Sequence, residues 1–121
     1  MKENVIKNRS FAFALKIVKL FQYLQTERKE FVMSKQLLRS GTAIGALVRE
    51  AEQAESKADF IHKMAVAQKE TNETLYWIEL LYQSECLNKE QYQTTIADAN
   101  ELLKIIASII ITSKENQNGK K

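Results

Sequence analysis

Apolar positions return every three or four residues along most of this chain, the period of an α-helix, and four separate runs of that kind can be traced. The first fits 10–26, with Phe11, Leu15, Val18, Phe21 or Gln22, and Leu24 returning to one side, while Phe13, Ile17 and Leu20 widen the stripe. The polar segment from Thr26 to Phe31 interrupts the pattern; it holds no glycine or proline, so only the change of period marks its limits. Ser34 is placed to cap a second helix over about 34–54. Ser56-Lys57-Ala58-Asp59 reads as a variant capping box opening a third helix over about 57–84, and Asn88 followed by Gln91 opens a fourth over about 89–113. The break between the second and third helices is very short, which makes them antiparallel neighbours if the chain reverses there. The pattern therefore predicts an all-α protein of four helices, each of about five to seven turns.

The fourth helix carries more than one stripe. Tyr92, Ile96, Ala99, Leu103, Ile106 and Ile110 alternate steps of four and three, the seam of bundle packing, and Leu102, Ile105 and Ile109 form a second row beside it. That arc is wider than the outside of a monomeric bundle needs, so Leu102, Ile105 and Ile109 are expected at an interface between subunits of a homo-oligomer.

On the second helix, Leu37, Ile44, Val48 and Ala51 share a side, with Gly41 and Gly45 close by. Each glycine costs roughly 1 kcal/mol against alanine in a helix interior, and the gain that offsets it is expected to be close approach of a neighbouring backbone. Arg39 and Glu50 lie on the opposite side, too far apart to touch along one helix. Glu70 and Glu73 on the third helix are candidate partners for Arg39, and Arg39 and Glu50 are assigned to architecture or subunit contact.

Composition changes this picture little. At 121 residues the chain is one domain, and the lack of proline and the scarcity of glycine favour helix throughout. Cys86 is the lone cysteine and the start MKENVIKNRS has no apolar stretch of the secretory kind, which leads to a cytoplasmic expectation. The longest apolar run, Leu102 to Thr112, contains Lys104 and falls short of the ~20 residues that cross a bilayer, so no membrane partner is expected. Net charge is +3, leaning towards anionic partners. Two of those charges sit in the polar segment 114–121, which is expected to be a disordered tail.

Candidate chemistry is sparse. The single histidine, His62, follows Asp59 rather than a glutamate at the spacing of a di-iron bundle site, and no arginine stands in the four to six positions before it, as paired Arg/His helical ribonucleases require. Cys86 has no histidine near it in sequence, and no phosphate loop, nucleophile elbow or zinc spacing is present. The expectation is a non-enzyme without cofactor or metal. Cations crowd the first half, and Arg28, Lys29, Lys35, Lys16, Lys19 and Arg49 are the candidate nucleic-acid contacts, with Glu27, Glu30, Glu50, Glu52 and Glu55 interleaved. An oligomer would repeat such a face and multiply its phosphate contacts. RNA or DNA is thus one expected partner; a protein-interaction scaffold with no nucleic-acid role is the alternative.

The stretch RSGTAIGALVREAEQAESKADFIHKMAVAQKETNETLYWIELL, Arg39 to Leu81, resembles the signature region of the four-helix-bundle family first known from proteins encoded in intervening sequences of bacterial large-subunit ribosomal RNA genes. Arg39-Ser40-Gly41-Thr42, Ile44-Gly45-Ala46, Arg49-Glu50-Ala51, the Ser56 to Ile61 segment and the Tyr76 to Leu81 run carry the likeness. Ala43 stands where serine is common in that family and Leu47 where asparagine is common. The chain is also similar to the accessory variability protein of diversity-generating retroelements. The resemblance implies an antiparallel up-down four-helix bundle that assembles into rings, commonly pentamers, with no established catalytic activity, and the likeness to the accessory protein implies an association with nucleic acid.

Overall fold

Two of the four helix starts are built as their sequences dictate. Ser56 accepts a hydrogen bond from the Asp59 N–H at 3.0 Å, and the Asp59 carboxylate reaches back to the Glu55 N–H at 3.2 Å. Asn88 and Gln91 exchange bonds reciprocally, Gln91 N–H to Asn88 Oδ1 at 2.7 Å and Asn88 N–H to Gln91 Oε1 at 2.9 Å. Both boxes satisfy backbone donors that a helix N-terminus leaves unpaired. They open the third and fourth helices of a computed structural model that describes residues 2–119 and comprises α1 (Lys2–Thr26), α2 (Met33–Glu52), α3 (Lys57–Gln83) and α4 (Lys89–Gly119).

Helix α1 packs on α2, α2 on α3, α3 on α4 and α4 back on α1, and among the described residues no helix packs on its diagonal opposite, which is the up-down four-helix bundle. The α1/α4 seam is the most sparsely packed of the four. The core runs the length of the bundle, from Ile6, Phe13, Ile17 and Leu24 on α1 through Leu37 and Ile44, then Met64 and Ile78, to Leu102 and Ile106 on α4. Two of the threonines inside it are hydrogen-bonded: Thr74 Oγ1 donates to Ser40 Oγ at 3.0 Å, and Thr71 donates to the Ala67 carbonyl at 2.8 Å.

Both glycines of α2 face α1. A Cβ at Gly41 would stand 2.9 Å from Ile17 Cγ1, and one at Gly45 would stand 3.4 Å from the Ser10 carbonyl oxygen, so the small residues let the two helices approach closely.

Several expectations need correction. Helix α1 begins at Lys2 instead of Ser10, and Ile6 in the added turns belongs to the core. Its buried row is Ile6, Ser10, Phe13, Ile17, Leu20 and Leu24, whereas Phe11 and Leu15, placed by period on the leading stripe, are each 51% exposed. Two apolar rows lie side by side on α1, and packing selects the second. On α4 the outcome is opposite: Leu102 is 2% and Ile109 5% exposed within the single chain, so the bundle's own core consumes two of the three residues assigned to a subunit interface. Ile105 is partly buried against that core. Ser34 is not the cap of α2. The cap position is Val32, and Glu30 supplies the acceptors, its carboxylate taking bonds from the N–H groups of Val32, Met33 and Ser34. Finally, residues 114–119 of the expected disordered tail are helical, continuing α4; 120 and 121 lie outside the described residues.

Candidate nucleic-acid interface

Helix α1 ends without glycine. Lys29 takes the left-handed conformation at φ 55°, and the Glu30 N–H closes back on the Leu24 carbonyl at 2.9 Å. Helix α3 ends in a Schellman wrap with Glu85 left-handed at φ 68°, Glu85 N–H bonding the Tyr82 carbonyl and Cys86 N–H the Leu81 carbonyl. Arg28 ties these two connections together by donating from Nη2 to the Glu85 carbonyl at 2.8 Å. Both therefore lie at one end of the bundle.

That end gathers cations and exposed apolar surface. Arg28, Lys29 and Lys35 are all exposed, and beside them Phe31 is 50% and Val32 73% exposed. Glu30, which in sequence interrupts this cluster, points its charge at the start of α2. Burial alone would push its carboxyl up, but the bonds from Met33, Ser34 and Val32 N–H and from the Ser34 side chain outweigh that and hold it below the ordinary carboxylate range. Among the described residues no ion pair involves Lys29, Lys35 or Lys89.

A cleft of about 410 Å³ opens here, with Tyr23, Arg28, Tyr82, Gln83, Asn88 and Lys89 among its walls. Tyr82 stacks on Tyr92 with ring centroids 4.1 Å apart. Tyr92 in turn donates to Glu79 at 2.8 Å; this bond raises the Tyr92 hydroxyl above its usual value, while the bonds from Gln83 and Tyr92 lower Glu79. Tyr23 also borders a second depression, with Lys16, Lys19, Gln91 and Thr94, so the groove continues down the loose α1/α4 seam.

The six candidate cations do not form one face. Arg28, Lys29 and Lys35 come together at the bundle end. Lys16 and Lys19 lie along the α1/α4 groove, and Lys16 is committed to an ion pair with Asp98. Arg49 sits elsewhere, its guanidinium 5.3 Å from the centroid of Phe11 in an α1/α2 groove lined by Ala14, Gly45 and Ala46. Sequence reasoning missed Lys89, Tyr23 and Tyr82. The Asn88 cap that places Lys89 in the first turn of α4 was the one signal available for it.

Arg39 and Glu50 are on the α2/α3 side. Arg39 meets Glu73 at 2.7 Å and Glu70 at 3.3 Å, the partners anticipated for it. The bond to Glu73, then the one to Glu70, raises the guanidinium further; the Arg39 bond and the Trp77 indole N–H at 3.0 Å lower Glu73. Glu50 is exposed, 3.9 Å from Lys63. Leu47 packs partly buried against the core. His62 is exposed and Cys86 is a free thiol at the cleft. No group of three or more His, Cys, Asp or Glu able to hold a metal occurs among the described residues, and no helix there is long and apolar enough to cross a membrane.

Compared with known proteins, residues 2–108 match the family described as 23S rRNA-intervening sequence protein. Among solved structures the fold is similar to a protein of unknown function from the S23 ribosomal protein family of Bacteroides thetaiotaomicron VPI-5482. The two share 56% identity over 91% of this chain and 98% of that one, with a TM-score of 0.90. Among curated proteins nothing matches.

Proposed function

The chain belongs to the 23S rRNA-intervening sequence protein family, and we propose that it is a non-catalytic, self-associating bundle that binds RNA through the basic end formed by the α1–α2 and α3–α4 connections. The observation that carries this reading is the gathering of four cations at one end of the bundle, Arg28 and Lys89 lining the cleft and Lys29 and Lys35 on the adjoining α1–α2 connection and first turns of α2, all four outside the ion pairs of the described residues, with Glu30 turned onto the α2 N-terminus. Cations left unpaired are available to phosphates, and their release of counterions makes binding salt-dependent and largely independent of sequence.

Self-association is supported by Phe11 and Leu15, two large apolar side chains half-exposed on the outer side of α1. A ring, with a pentamer favoured, would present the basic end several times over and raise avidity without a new contact.

The test is anisotropy of a labelled single-stranded RNA titrated at a series of salt concentrations, for the protein and for the triple variant Arg28→Gln, Lys29→Gln, Lys35→Gln. Each lost phosphate contact removes about 0.7 from the log–log salt slope, so the triple variant should lose roughly 2 and bind more weakly at every salt. An unchanged slope and affinity would rule this end out. Salt-resistant capture of a stoichiometric protein partner, with no RNA binding, would favour the scaffold reading instead.

A further inference from the structure

We infer that the cleft between the two connections is a site for one unpaired nucleotide, so that the bundle end reads single-stranded rather than duplex RNA. This rests on the RNA-binding reading above and deepens it. The walls carry two kinds of group that an extruded nucleotide requires and a duplex backbone does not, and a third, charge, that serves the phosphate of either.

The first is aromatic surface. Tyr23 and Tyr82 both line the cleft. Tyr82 is held in place by its stack on Tyr92, and Tyr92 is fixed by its bond to Glu79. A ring so anchored loses little freedom when a base packs on it, and stacking on aromatic side chains is how unpaired bases are held regardless of sequence.

Spare hydrogen-bonding capacity is the second. Gln83 spends its amide nitrogen on Glu79 at 2.9 Å, which leaves its carbonyl oxygen as an acceptor. Asn88 spends its side-chain oxygen on the α4 cap, which leaves its amide N–H groups as donors. One acceptor and one donor on the cleft wall suit the edge of a base.

The third is charge at the mouth. Arg28 is oriented by the Glu85 carbonyl, and Lys89 stands in the first turn of α4, where the helix N-terminus adds its own attraction for an anion. The volume of about 410 Å³ falls within the roughly 300–1,000 Å³ that small-molecule sites occupy. The paired bases of a duplex have their faces stacked on one another and cannot enter.

The experiment measures anisotropy with a labelled oligoadenylate single strand and an RNA duplex of equal length, for the protein, Tyr82→Leu and Gln83→Leu, with circular dichroism melting to verify that each variant folds. The single strand should bind about tenfold more tightly than the duplex, the worth of one stacked base. Tyr82→Leu should abolish most of that preference and leave duplex binding alone. If Tyr82→Leu melts early, Gln83→Leu, at an exposed position, serves in its place with a smaller loss of the same preference. Equal affinity for strand and duplex, unaffected by either variant, overturns the nucleotide cleft while leaving phosphate binding by Arg28, Lys29 and Lys35 standing. Displacement of the strand by adenosine monophosphate at comparable concentration makes this a site for free nucleotides and overturns the strand assignment. Absence of RNA binding by the folded protein overturns both readings together.

Discussion

Replacing Gly41 and Gly45 by alanine, one at a time, should move stability in opposite directions although the residues lie one turn apart on the same helix. Alanine gains about 1 kcal/mol over glycine in a helix interior. At Gly45 that gain survives, because the nearest atom to a new methyl is the Ser10 carbonyl oxygen at 3.4 Å, an ordinary contact. At Gly41 the methyl meets Ile17 Cγ1 at 2.9 Å, Cγ2 at 3.0 Å and Cβ at 3.3 Å. Carbon atoms pack best at about 3.5–4.0 Å. Ile17 is fully buried and β-branched, so rotation about χ1 only exchanges one close γ carbon for the other. The helices must separate, and overpacking of this kind costs about 1–3 kcal/mol. The net expectation is a gain of about 0.5–1 kcal/mol for Gly45→Ala and a loss of about 1 kcal/mol for Gly41→Ala, a separation of several degrees in Tm. Urea unfolding followed by circular dichroism, with all proteins at one concentration so that mass action is held constant, reads both. Equal effects at the two positions, or a stabilised Gly41→Ala, would refute the close α1/α2 approach as the reason for glycine there.

Lys29→Gly removes a lysine from left-handed backbone at φ 55°, so it should stabilise the fold by about 0.5 kcal/mol while weakening RNA binding; a loss on both counts would mean that the α1 end is not as described. Arg39→Gln should cost at most about 1 kcal/mol, since the Arg39 side chain is half exposed and its ion pairs are screened. Glu73 has a folded pKa below its unfolded value near 4.5, so the stabilisation is complete above that value and disappears as pH falls through the lower folded one. The difference between the two proteins, followed by denaturation at a series of pH values, should therefore shrink as pH falls below that unfolded value; a difference that grows in acid contradicts the assignment. Phe11→Asp with Leu15→Asp should leave a folded bundle of lower mass by light scattering, whereas Ile109→Asp should lose the cooperative fold, because its carboxylate would be buried in the core without a partner. A folded, dissociated Ile109→Asp would return Ile109 to the subunit interface.

What could be read in advance was whatever a few neighbouring residues decide. The period of three to four, the Ser56–Asp59 and Asn88–Gln91 boxes, the buried side of α2 and the meaning of its glycines all follow from local geometry, and each stands as expected. The Arg39 pairing was also legible, since a guanidinium on one face of a helix leaves few carboxylates within reach. Ser34 misled because a serine ahead of an apolar run imitates a cap, while the carboxylate that does the work stands four residues earlier in a segment with no period.

By itself, then, the sequence determined four amphipathic helices and two of their starts, because hydrogen bonds within a turn and the apolar repeat are fixed by residues three or four apart. Only the tertiary structure decided which of two adjacent apolar rows on α1 turned inward, leaving Phe11 and Leu15 outside, and that Leu102 and Ile109 belong to the chain's own core. A helix with a wide apolar arc can settle at more than one rotation about its axis, and the three helices around it choose. The cleft has the same origin: Tyr23, Arg28, Tyr82 and Lys89 are scattered over three helices and a connection. They meet because bundle packing brings the ends of α1 and α3 and the start of α4 together, a distance that no local pattern encodes.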